Sequence, residues 1–149
     1  MPGLTTNEPK LLFPGLAGFY AAVSDLWYPL IRVFAGACLI YGHGWTKLMS
    51  GPAAVSASMA KNGYVPGFFF GYSAVILETV GALCVIAGLF TRFFAAALAI
   101  EMAIVTFVAQ WPNGYARMEL PFIWGIIFFA IALRGGGPYS LDRVIGKEL

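Results

Sequence analysis

The sequence predicts an all-α fold: an integral membrane four-helix bundle with short interfacial helices. Three observations predict it. Of 149 residues, 60% are hydrophobic and 11% are charged, against about 25% charged in a soluble domain, and mean hydropathy is +0.79. A chain this short cannot bury so much apolar surface in its own core, so lipid must cover the remainder. The apolar residues also fall into four long runs, where a spanning helix needs about 20 residues.

At the start, Lys10 precedes an apolar stretch that Pro14-Gly15 interrupts, which does not read as a cleavable leader. Leu12, Leu16, Phe19, Tyr20 and Val23 are spaced one-sidedly at helical period, which predicts an amphipathic segment over residues 8–25 lying in the membrane interface. The predicted spans are residues 26–48, 68–90, 93–111 and 117–134. Pro121 sits in the first turns of the last, where a missing N–H costs little. Residues 49–67 form a loop with a short helix: Ser50 is its cap, Pro52 fits its first turn, and Asn62-Gly63 ends it. Thr91-Arg92 and Trp111-Pro112-Asn113-Gly114 are tight connections that make consecutive spans antiparallel neighbours. Gly135-Gly136-Gly137-Pro138 breaks the fourth helix, and Ser140 caps a short helix in the tail, residues 135–149.

Trp27, Tyr28, Trp45, Tyr64, Trp111, Tyr115 and Tyr139 are expected at the membrane–water boundary. Four spans put both termini and the Thr91-Arg92 turn on one side, with Lys10, Arg92, Arg134, Arg143 and Lys147. The other side has Lys47, Lys61 and Arg117. The positive-inside rule then predicts a multi-pass protein of the cell inner (cytoplasmic) membrane with both termini cytoplasmic. A net charge of +2 and the lack of a basic cluster with interleaved aromatics speak against nucleic acid. Cys38 and Cys84 lie in apolar runs with no metal-type spacing. They read as small packed hydrophobes, or as a redox pair if their helices bring them together.

The informative residues are ionisable groups inside the spans, each costing about 2.5–3.5 kcal/mol at a helix centre. Glu78 and Glu101 lie near the middles of the second and third runs. At 100° per residue, Arg32, Gly36, His43 and Lys47 share one face of the first helix. The expectation is one buried polar cluster of Arg32, His43, Lys47, Glu78 and Glu101. Arg32 pairs with Glu78 or Glu101, and His43 and Lys47 lie nearer the outer mouth. Such a cluster either fixes helix register or lines a ligand pocket or proton path. Gly42 and Gly44 would let a backbone or ligand approach closely. Arg92 reads as interfacial, snorkelling to headgroups.

Several stretches, in order, are similar to the DoxX family of small bacterial and archaeal membrane proteins. They are Tyr41-Gly42-His43-Gly44-Trp45-Thr46-Lys47-Leu48, Glu78-Thr79-Val80-Gly81-Ala82, Gly88-Leu89-Phe90-Thr91-Arg92, Ile100-Glu101-Met102, and the tail from Arg134 to Asp142. The resemblance implies a four-helix membrane fold, with Arg32, Lys47, Glu78, Arg92 and Glu101 at the family's recurring charged positions. Some members are subunits of quinone-linked oxidation; others serve membrane complexes that handle thiol and oxidative stress. The leading expectation is an accessory subunit of a membrane oxidoreductase with quinone as ligand. No haem, flavin or metal motif is present in the sequence, so electrons would come from a partner protein. The alternatives are a non-catalytic scaffold or assembly subunit, working with a partner or as a homo-oligomer, and a small-solute or proton carrier.

Overall fold

The computed structural model describes residues 11–148, which are helical with no strand. Lys10 and the start of the predicted 8–25 segment lie outside the described residues, as does residue 149. Helix α1 (Pro14–Val23) begins with a 3-10 turn and buries no residue. It meets α2 (Trp27–Ser50) at a 52° bend. Helix α3 is Pro52–Lys61, α4 Gly67–Ala87, α5 Thr91–Asn113, α6 Tyr115–Arg134 and α7 Leu141–Ile145. Helices α4, α5 and α6 are each long and apolar enough to cross a membrane. A fourth span is counted if α1 and α2 form one bent unit.

The four long helices share one core. Tyr28, Ala35 and Leu39 come from α2, Ala82 and Val85 from α4, Ala95, Leu98 and Met102 from α5, and Phe128 and Ile131 from α6. Small residues set the spacing. A Cβ on Gly36 would lie 2.6 Å from Ile86 Cγ1 and 2.8 Å from the Ala82 carbonyl oxygen, so α2 and α4 touch almost backbone to backbone. The outer faces remain apolar, as at Phe34, Ile100 and Leu133, all exposed. Apolar surface this broad suits lipid rather than water.

Three long helices carry a π turn: Ile40–Gly44 in α2, Leu77–Gly81 in α4 and Val105–Gln110 in α5. Each accommodates an extra residue in its turn, and such turns concentrate at functional positions. A Cβ on Gly44 would collide with the Glu78 carbonyl oxygen, so the first two π turns pack directly together. Gly42 has no neighbour that a Cβ would meet.

Several expectations are corrected. Ser50 is the last residue of α2 and caps nothing: its hydroxyl donates to the Thr46 carbonyl at 2.9 Å, and Gly51 (φ 82°) precedes α3. Helix α3 packs along the first half of α4, because Gly67 and Gly71 admit Ala60 and Ser56. Helix α4 stops at Ala87, since Gly88 turns left-handed (φ 70°) and the Leu89 N–H returns to the Cys84 carbonyl at 2.9 Å. Ser140 does cap α7, accepting from the Arg143 N–H at 3.2 Å. Cys38 faces outward, Cys84 is half-buried, and both are free.

Candidate functional site

The spans' charges do not form one cluster. They divide by depth, Arg32 at the tail end and Glu78 and Glu101 near mid-span with Lys47 reaching them from the far part of α2, because a helical wheel records azimuth and hides depth. Arg32 and Lys47 are 15 positions apart, about 22 Å along α2 at about 1.5 Å per residue. The π turn between them also shifts the phase of everything after it.

At the tail end, Arg32 is 1% exposed. It pairs with neither Glu78 nor Glu101. Its guanidinium donates to the carbonyls of Gly136 and, at 2.9 Å, Tyr139. Gly88 lets it pass: a Cβ there would lie 2.7 Å from Nη1. Tyr28, expected at the water boundary, is instead buried and donates to the Gly135 carbonyl. Arg134 lies over the rings of Trp27 and Tyr28, at 5.1 and 4.8 Å. Arg92 stays exposed while also bonding to the protein. Its Nε donates to Glu148 at 2.7 Å and its Nη1 to the Leu133 carbonyl at 2.7 Å, satisfying the last turn of α6.

Asp142 completes this lock. One carboxylate oxygen accepts from the Phe90 N–H at 2.7 Å; the other accepts from the Thr91 N–H at 2.9 Å and the Thr91 hydroxyl at 2.7 Å. The tail thus supplies the N-terminal cap of α5. Burial pushes this carboxyl up, but the hydrogen bonds from Thr91 and Phe90, with the Arg32 charge, outweigh it and hold it below the usual aspartate range. A depressed folded-state pKa favours the ionised native form. Its stabilisation is therefore complete above the unfolded value of about 3.9 and is lost as pH falls through the folded one. The wild type should lose stability in detergent below about pH 4. Asp142→Asn should be about 1–2 kcal/mol less stable at neutral pH, with a flatter acid limb. Equal slopes in thermal unfolding between pH 3 and 7 would count against this role.

At the other end, Lys47 Nζ donates to Glu78 Oε1 in an ion pair. The Glu78 side chain is 3% exposed and that of Lys47 26%. Lys47 forms part of the wall of two cavities. One, about 430 Å³, lies between α4 and α5 beneath α3 and includes Glu101, Tyr64, Phe69 and Phe70. The other, about 360 Å³, includes Glu78, His43, Gln110, Arg117 and Trp124. Lys47 thus shares one wall with Glu101 and the other with Glu78. Among the described residues, Glu78 Oε2 and Glu101 Oε2 are buried without a hydrogen-bond partner. Buried acceptors are normally satisfied, and a carboxylate oxygen can be satisfied only by a donor. A third, larger cavity of about 590 Å³ between α5 and α6 is apolar except near Arg92 and Thr106 and lies away from these acids.

Of the five residues expected together, the structure brings together Lys47, Glu78 and Glu101, with His43 exposed beside them, and sets Arg32 apart. Asp142, Gln110 and the Tyr28 hydroxyl were not singled out by sequence reasoning. Asp142 stood only inside the family-like tail, and a polar residue after a Gly-rich break gives no sign that it folds back. The DoxX family model matches residues 28–111. That span takes in both π turns that hold His43 and Glu78, and Glu101, but not the tail. No curated protein and no solved structure matches the chain.

Proposed function

The chain belongs to the DoxX family, and from that premise we propose a redox-linked subunit of the cytoplasmic membrane that binds a quinone-like lipophilic molecule between α4 and α5. In this reading the chain is a four-span bundle with both termini cytoplasmic. The grouping of Arg92, Arg134 and Arg143 at the tail end supports that orientation. The observation that carries the ligand is Glu101: a carboxyl with a buried, unsatisfied oxygen, in a largely apolar cavity whose other charged group is the Lys47 ammonium.

The cavity suits such a molecule. Tyr64, Phe69 and Phe70 offer aromatic surface for a flat ring. Lys47 can donate to a carbonyl oxygen, and Glu101 Oε2 can accept from a hydroxyl. When bound, a quinone supplies a two-electron, two-proton couple; the electrons come from a partner protein. Glu78 holds the Lys47 ammonium in place, and Glu101 takes up or hands over a proton at Oε2. Lipid-facing residues around the cavity keep bulk water away.

Glu101→Gln should lower quinone-dependent turnover in membranes by on the order of a hundredfold, the scale of one general acid–base group, at unchanged protein level. It should also weaken binding of a short-chain quinone to the purified protein. Turnover and quinone binding both at wild-type level would overturn the reading.

A further inference from the structure

We propose that the second cavity, between α2, α5 and the start of α6, is a separate binding site for a small organic anion that also carries a hydrogen-bond donor, such as a hydroxy acid, amino acid or thiol acid. It stands whether or not the first cavity takes a quinone.

The charges define the ligand. Lys47 is neutralised by Glu78. Arg117 lines the cavity and makes no salt bridge among the described residues. The site therefore presents net positive charge at the Arg117 side, and a guanidinium is suited to hold a carboxylate by two parallel hydrogen bonds. In the same wall, Glu78 is 2% exposed and its Oε2 has no partner. That oxygen accepts only, and a bare anion placed against it would be repelled. A simple cation would satisfy Glu78 and meet Arg117 unfavourably. A molecule with an anionic group at one end and an O–H, N–H or S–H at the other suits both.

The remaining walls agree. Gln110 adds an amide that can donate or accept, while Leu39, Met102 and Leu120 offer apolar surface to a short carbon skeleton. The volume, about 360 Å³, lies in the small-molecule range of about 300–1,000 Å³. Lys47, Val105 and Gln110 line both cavities, and only the second also takes in Glu78.

Calorimetric titration of the detergent-purified protein with glycolate, acetate and ethylene glycol tests the site. Glycolate has both groups, acetate lacks the donor, and ethylene glycol lacks the charge. The expected result is saturable glycolate binding at least tenfold tighter than acetate, and no ethylene glycol binding. Arg117→Gln, an exposed position at the start of α6, should weaken glycolate at least tenfold. Glu78→Gln should erase the preference for glycolate over acetate. Ala97→Leu, which narrows the first cavity and lies outside the second, should bind glycolate as the wild type does. Absence of glycolate binding, equal affinity for acetate, or an Arg117→Gln variant with wild-type affinity would overturn the proposal. Loss of glycolate binding in Ala97→Leu would overturn the separateness of the two sites.

Discussion

Replacing Arg32 with methionine should free the tail from the bundle while leaving the ion pair at the other end intact. The Gly136 and Tyr139 carbonyls would lose their charged donor. A buried carbonyl left unsatisfied costs about 1–3 kcal/mol. The Tyr139 carbonyl is only partly buried, so water would relieve some of that, and a net loss of about 2–4 kcal/mol follows. Hydrogen exchange should speed up over residues 135–148 and at the start of α5, where Asp142 would be withdrawn from Phe90 and Thr91. Arg32→Lys should restore little, since one ammonium does not reproduce the guanidinium's spread of donors. Wild-type protection of the tail in Arg32→Met would refute the lock. Fast exchange around Glu78 instead would point back to an Arg32–Glu78 pair.

Replacing Lys47 with methionine should be more damaging alone than together with its partner. Glu78 would remain buried without its counter-ion, a situation that costs about 3–5 kcal/mol when one half of a buried pair is removed. Lys47 keeps a 26% exposed side chain, so the lower end of that range is expected. The double variant Lys47→Met/Glu78→Met removes both charges and should recover most of the loss, because an apolar replacement of a whole buried pair is often neutral or better. Unfolding in mixed micelles for the wild type, both single variants and the double variant gives the coupling directly. Additive losses would mean that the pair contributes nothing as a pair.

The contrast between these two residues marks what the sequence made legible. The apolar runs, the Gly-Pro breaks and the charges inside the spans led to the long helices and to the two acids whose oxygens are buried without a partner, because those signals are local and periodic. The grouping of Arg32 with the acids went wrong for a geometric reason: angle around an axis repeats along it, and distance along the axis separates residues of equal angle. The π turns were invisible for the opposite reason. An insertion of one residue leaves composition unchanged and alters only phase, and the packing of Gly44 on the Glu78 carbonyl goes with it. Asp142 could not be placed because its partners, Phe90 and Thr91, lie 52 and 51 positions away, and no pattern within the tail encodes them.

That separation carries a consequence for biogenesis. Helix α5 has no capping side chain of its own at Thr91; its cap arrives 51 residues later in translation. During insertion, the α4–α5 hairpin must wait in the membrane with its connecting turn open to water. It closes only after α6 has been made and the tail has folded back onto it. Chains stalled or cleaved before Asp142 would lack that cap and leave the Phe90 and Thr91 N–H groups without their partner.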